Sequence, residues 1–101
     1  MNKDKVSIYI PAYNAEKTIK ESIQSIKNQT YKFNEIIVID DNSTDTTNKI
    51  LQKIDDIKIV KNNTNKGLGY NRNLGLKISS NDIVASIDAD VVLNKNWLEN
   101  F

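Results

Sequence analysis

The sequence predicts an α/β fold with a parallel sheet covered by helices on both faces, and three observations carry that prediction. Strand-like runs alternate with helix-period segments in the order β-α-β-α-β-α-β-α. The connections between them are short, with no repeat, linker or low-complexity stretch. The run Glu35-Ile36-Ile37-Val38-Ile39 is almost wholly apolar, as a strand covered on both sides must be.

Val6-Ser7-Ile8-Tyr9-Ile10 reads as the first strand, β-branched and aromatic, with Pro11 expected at its end because proline donates nothing to a ladder. Ala15, Ile19, Ile23 and Ile26 then recur at helical spacing and predict one apolar helix face. The second strand, residues 35–39, runs into Asp40-Asp41-Asn42-Ser43-Thr44-Asp45. Ser43 or Thr44 is expected to cap the next helix, with Asp45 at the positive end of its dipole and Ile50, Leu51 and Ile54 on its buried side. Residues 57–60 form a shorter third strand. Gly67-Leu68-Gly69 opens a third helix with Leu68, Leu74 and Ile78 expected to face inward. Residues 82–87 form the fourth strand, ending at Asp88, and a last short helix is expected to begin between Asn94 and Trp97.

The 101 residues suit one small domain, and 39% hydrophobic with 27% charged residues permit a packed core. A formal net charge of +1 gives no electrostatic reason to expect nucleic acid as a partner. Arg72 is the one arginine, so a planar bidentate fork is available at a single place. The absence of cysteine excludes disulfides, thiolate metal sites and a thiol nucleophile. Histidine is absent too, so a metal would have to be held by oxygen, which favours Mg²⁺ or Mn²⁺ over zinc. The apolar run near the start is too short for a signal-peptide core, and a cytoplasmic location is the default expectation.

Ligands of an open parallel sheet gather at the carboxyl ends of the strands, near the point where strand order reverses. This sequence places Pro11-Ala12-Tyr13-Asn14, Asp40-Asp41-Asn42-Ser43, the stretch Gly67 to Asn73, and Asp88-Ala89-Asp90 there. The last of these lies inside SIDADVVL, residues 86–93, where two acids interrupt an apolar run. Buried carboxylates are costly unless paired or metal-bound. Two of them at a strand end, separated by a small residue, can approach one divalent cation from the same side, and such an ion takes its remaining ligands from water and substrate phosphates. No GxGxxG fingerprint is completed around Gly67, which disfavours a dinucleotide site.

VSIYIPAYNAEKTIKESIQSIKNQTY, EIIVIDDNSTDTT, NKGLGYNRNLGL, NDIVASIDADVVL and NKNWLENF cover nearly the whole chain. Together, in this order, they resemble the N-terminal part of a family 2 glycosyltransferase. The resemblance implies a Rossmann-like GT-A half-domain, its parallel sheet of about four strands in the order 3-2-1-4, with residues 1–101 forming the nucleotide-sugar-binding portion of a longer domain. It implies that Pro11, Ala12, Tyr13 and Asn14 line the nucleobase and ribose pocket with Glu16 at its rim. Asp41 would accept a hydrogen bond from the base, most simply uracil of a UDP-sugar, while Asp40 would support the turn. Arg72 would lie near the phosphates, Asp88 and Ala89 at the ribose or metal, and Asp90, with Asp88, on the Mn²⁺ or Mg²⁺ that bridges the diphosphate.

By the same resemblance the general base and the acceptor-binding walls come from a later segment, so no catalytic base is assigned within residues 1–101. The acceptor, whether saccharide, lipid or protein, is left unnamed, and a membrane association through other parts of a parent protein stays open. A non-catalytic nucleotide-binding module is the alternative that the short length keeps alive. The DxD of haloacid-dehalogenase-type phosphatases is a weaker resemblance, since it closes a first strand and this one closes a fourth. A half-fold also leaves a sheet edge and helix faces uncovered, which predicts marginal stability or self-association for the chain alone.

Overall fold

The computed structural model describes residues 4–101. Four strands, β1 (Val6–Ala12), β2 (Glu35–Asp40), β3 (Lys58–Lys61) and β4 (Ile83–Ser86), form one sheet in the order β3-β2-β1-β4. Every neighbouring pair is parallel. Helices α1 (Ile19–Lys27), α2 (Thr47–Gln52) and α3 (Leu68–Ile78) make the crossovers. The expected four-stranded sheet and its order are both present.

Period-two alternation along the central strands divides the core in two. Ile8, Ile10 and Val38 point to one face, where Ile19, Ile23 and Ile26 of α1 and Leu51 of α2 cover them. Tyr9, Ile37 and Ile39 point to the other, under Leu74 and Ile78 of α3. The chain moves outward from β1 to β3 with its helices on the first face, then returns to β4 with α3 on the second, as right-handed crossovers require. The reversal therefore falls between β1 and β4. Gly75 lets α3 lie directly on the Tyr9 ring, because a Cβ there would overlap the ring carbons Cγ and Cδ2.

Four local expectations are corrected. Pro11 does not end β1, which continues through Ala12 opposite Asp40. Along β1 the Tyr9 carbonyl bonds toward β4 and the Ala12 carbonyl toward β2, so the nitrogen of Pro11 faces the β4 side, where that strand has already ended opposite Tyr9. Its missing N–H costs no ladder bond. The cap of α2 is Thr46 rather than Ser43 or Thr44, and the side chain that serves this helix start is Asp45, which accepts the Thr47 N–H at 2.9 Å. Leu68 does not face inward but stands 53% exposed in the first turn of α3. The last helix is a run of turns over residues 95–100, in which Trp97 stacks between Phe33 and Phe101.

Candidate functional site

The carboxyl ends of β1 and β2 and the start of α3 enclose a cleft of about 340 Å³. Pro11, Ala12 and Tyr13 form one wall and Asp41 the floor, while Asn65, Gly67, Leu68 and Asn71 close the other side. A larger cleft of about 660 Å³ at the amino ends of the strands, lined by Glu35, Lys58 and Ser80 among others, holds no strand-terminal residue of the candidate set. The smaller cleft lies at the carboxyl ends of the strands, the end at which open parallel sheets bind ligands.

Asp40 and Asp41 divide their work. Asp40, fully buried, accepts the Ser43 N–H on Oδ1 and the Asn48 amide on Oδ2, both at 3.0 Å, and so shapes the turn into α2. Asp41 accepts the Lys66 N–H (2.7 Å) and the Asn62 amide (2.9 Å) on Oδ1, and the Gly67 N–H (2.9 Å) on Oδ2. Burial pushes its carboxyl pKa up, but these donors outweigh burial and hold it below the ordinary carboxylate value. Its charge also faces the positive end of α3. Gly67, with φ of 88°, supplies the backbone turn that brings two successive N–H groups onto one carboxylate.

Asn14 and Glu16 are committed to a loop–loop clasp rather than aimed into the cleft. Asn14 takes φ of 48°, donates its N–H to Ser43 Oγ at 3.0 Å and accepts the Thr44 N–H at 2.8 Å. The Ala15 N–H reaches Thr47 Oγ1 at 2.8 Å. Glu16 accepts both the Thr46 N–H (3.0 Å) and the Thr46 hydroxyl (2.7 Å), which lowers its carboxyl pKa and satisfies an orphan donor at the start of α2. Arg72 is exposed on α3 and does not line the cleft; its neighbour Asn71, buried and bonded to Asn62, does.

Across the switch point, β4 ends at Ser86 and the acidic pair follows. Strand-like alternation persists past the ladder: Ile87 and Ala89 are buried, while Asp88 and Asp90 are exposed. The two acids inside an apolar run are thus no burial cost at all. Ala89, expected at the ligand, instead turns its methyl into the α1 side of the core. Neither carboxylate accepts a hydrogen bond from another described residue, so both keep their full acceptor capacity. Among the described residues no group of three or more metal-binding side chains gathers. Two carboxylates with open acceptor positions are the donor chemistry of a hard divalent ion, which would need further ligands from water or substrate oxygens there.

Comparison with known proteins decides the family. The family model described as glycosyl transferase family 2 matches residues 7–101. The chain belongs to glycosyltransferase family 2. It is 47% identical over 87 residues to the Escherichia coli UDP-Glc:alpha-D-GlcNAc-diphosphoundecaprenol beta-1,3-glucosyltransferase WfaP, which covers 84% of this chain and 35% of that protein. Among solved structures it matches S. aureus TarS 1-349 in complex with UDP-GlcNAc, with a TM-score of 0.87 and 36% identity over 95% of this chain and 29% of the other. It also matches the mannosyltransferase PcManGT from Pyrobaculum calidifontis in complex with GDP-Man and Mn²⁺, at a TM-score of 0.83 and 26% identity, covering 91% and 29%. Its sheet is that of the GT-A glycosyltransferases. The chain spans 30% to 38% of the length of the first curated relatives it matches.

One set of site-supporting residues was missing from the sequence reading. Thr18, Ser22, Ser25 and Gln29 line the flank of α1 and bond the backbone of residues 89–98. The signal was their helical spacing, four, three and four, next to the isoleucine stripe.

Proposed function

We propose that this chain forms the donor half of a glycosyltransferase, binding a uridine-diphosphate sugar together with Mn²⁺ or Mg²⁺ held by Asp88 and Asp90. The observation that carries this reading is a convergence at one sheet edge. A cleft floored by a carboxylate opens beside β1, and two uncommitted, exposed carboxylates follow β4, its neighbour at the switch point.

In this reading the base and ribose lie against Pro11, Ala12 and Tyr13. Oδ2 of Asp41 accepts one N–H, from Gly67, and keeps an acceptor position for the ring N–H of uracil. A cytosine ring nitrogen at the same place would set acceptor against acceptor. Names among the relatives support uridine: WfaP and WfgD, 47% and 44% identical, are both UDP-Glc transferases. Arg72 reaches the diphosphate from the exposed side of α3. When bound, the divalent ion neutralises the charge that develops on the departing diphosphate. Neither acceptor recognition nor the general base is assigned to any of residues 1–101, and the expected cytoplasmic location is part of the same proposal.

Calorimetry of UDP binding to the intact protein, with Mn²⁺ and then with a chelator, tests both halves. Binding that tightens with the metal is expected. Absence of UDP binding under either condition would sink the donor reading, and affinity indifferent to the chelator would sink the metal assignment.

A further inference from the structure

Thr18 sits at the N-cap of α1, a position where threonine ordinarily accepts a backbone N–H of the first turn. Here its side chain makes no capping bond. The hydroxyl turns away from the helix and donates to the carbonyl of Ala89 at 3.0 Å, 71 residues along the chain. Ala89 is the residue between the two exposed acids.

The same flank of α1 continues the pattern. Ser22 Oγ donates to the Val91 carbonyl at 2.6 Å, and Ser25 Oγ accepts the Leu93 N–H at 2.9 Å. The fully buried Gln29 donates to the Asn94 carbonyl at 2.7 Å and accepts the Leu98 N–H at 2.9 Å. The lower members of this row tether a turn-rich segment. Thr18 does something different, because the carbonyl it holds belongs to the peptide joining Ala89 to Asp90. With the Ala89 methyl in the core and its carbonyl bonded, the backbone between the two acids is held from two sides.

We propose that Thr18 is a positioning residue for the Asp88–Asp90 pair, its hydroxyl fixing the Ala89 carbonyl so that both carboxylates meet one divalent ion. This rests on the metal reading above. Carboxylates on an exposed loop would otherwise lose conformational freedom on each binding event, and a group held by its supporting shell does not.

The test is calorimetry of UDP binding to the intact protein, in Mn²⁺ and in EDTA, for wild type, Thr18→Val and Thr18→Ser. Valine keeps the shape and removes the donor. Loss of an outer-shell partner typically lowers metal affinity by about ten- to a hundredfold, and that weakening is expected in Mn²⁺ for Thr18→Val. UDP affinity in EDTA should match wild type, and Thr18→Ser should restore the Mn²⁺ effect. Wild-type behaviour of Thr18→Val in Mn²⁺ overturns the role of Thr18 alone. Equal losses in Mn²⁺ and EDTA overturn it too, by showing general damage to the fold. A wild-type protein without any Mn²⁺ dependence overturns the metal reading itself, and this inference with it.

Discussion

Asp41 and Gly67 are joined across the sheet edge by a 2.9 Å hydrogen bond from the Gly67 N–H to Asp41 Oδ2. Gly67 is the N-cap of α3 and has no side chain to cap with, so a residue 26 positions earlier does the capping. Asp41→Ala leaves the Lys66 and Gly67 N–H groups without their acceptor and removes one of the two bonds of the Asn62 amide, which keeps Asn71. It should destabilise the fold by about 1–3 kcal/mol in urea unfolding. It should also weaken UDP more than an equally destabilising core substitution such as Ile23→Val does.

Acid should unfold this protein through Glu35. Burial raises the Glu35 pKa, yet bonds from Lys58, the Ser80 N–H and hydroxyl and the Ser7 hydroxyl outweigh it and lower the value from 4.5 to about 2. A depressed folded-state pKa stabilises the fold above pH 4.5, and that contribution disappears as pH falls toward 2. Asp41, Asp45 and Glu16 are shifted in the same direction. Urea midpoints should therefore fall steeply between pH 4.5 and 2. The Glu35→Gln variant should start less stable and show a shallower slope.

Gly75→Ala should cost about 1–3 kcal/mol as overpacking against Tyr9. Tyr9→Phe should not relieve it, because the overlapping atoms belong to the ring common to both residues. Thermal unfolding of the two single variants and the double variant would show this.

Asp88→Asn and Asp90→Asn should each remove the metal-dependent part of UDP binding. Both side chains are exposed and unbonded, so stability should stay within about 0.5 kcal/mol of wild type. A large drop in melting temperature would mean that the pair serves the fold instead.

Arg72→Ala should weaken UDP binding while leaving uridine binding unchanged. The guanidinium is exposed and makes no ion pair among the described residues, so its charge is free for a diphosphate. Equal affinities of wild type and variant for UDP would reduce Arg72 to a solvated helix cation.

The strands were legible because Ile8, Ile10, Val38 and Ile39 are buried on both faces of a parallel sheet and read as apolar runs. Asp40 and Asp41 could be placed at a strand end, but the division between them depends on which backbone N–H groups the α3 loop brings near, a contact 26 residues distant. The resemblance places Asn14 and Glu16 at the pocket; the loop–loop bonds they make reach residues 29 and 30 positions away, which no local pattern shows. Ser22 and Gln29 carry no role in the sequence reading, although both are fully buried. Their burial comes from residues 89–98 folding back along α1, which no local pattern announces. Leu68 misled because helical spacing gives a face, while in the structure Leu74 and Ile78 pack on the core and Leu68 lines the cleft.

The clasp between residues 14–16 and 43–47 has a consequence for how the protein opens. The Asn14, Ala15 and Glu16 N–H groups are bonded to side chains of the second loop, and the Thr44 and Thr46 N–H groups to side chains of the first. Neither loop can fray while the other stays closed. Amide hydrogen exchange in the two stretches should follow one opening equilibrium, so that the loops beside the cleft behave as a single unit anchored to β1 and β2.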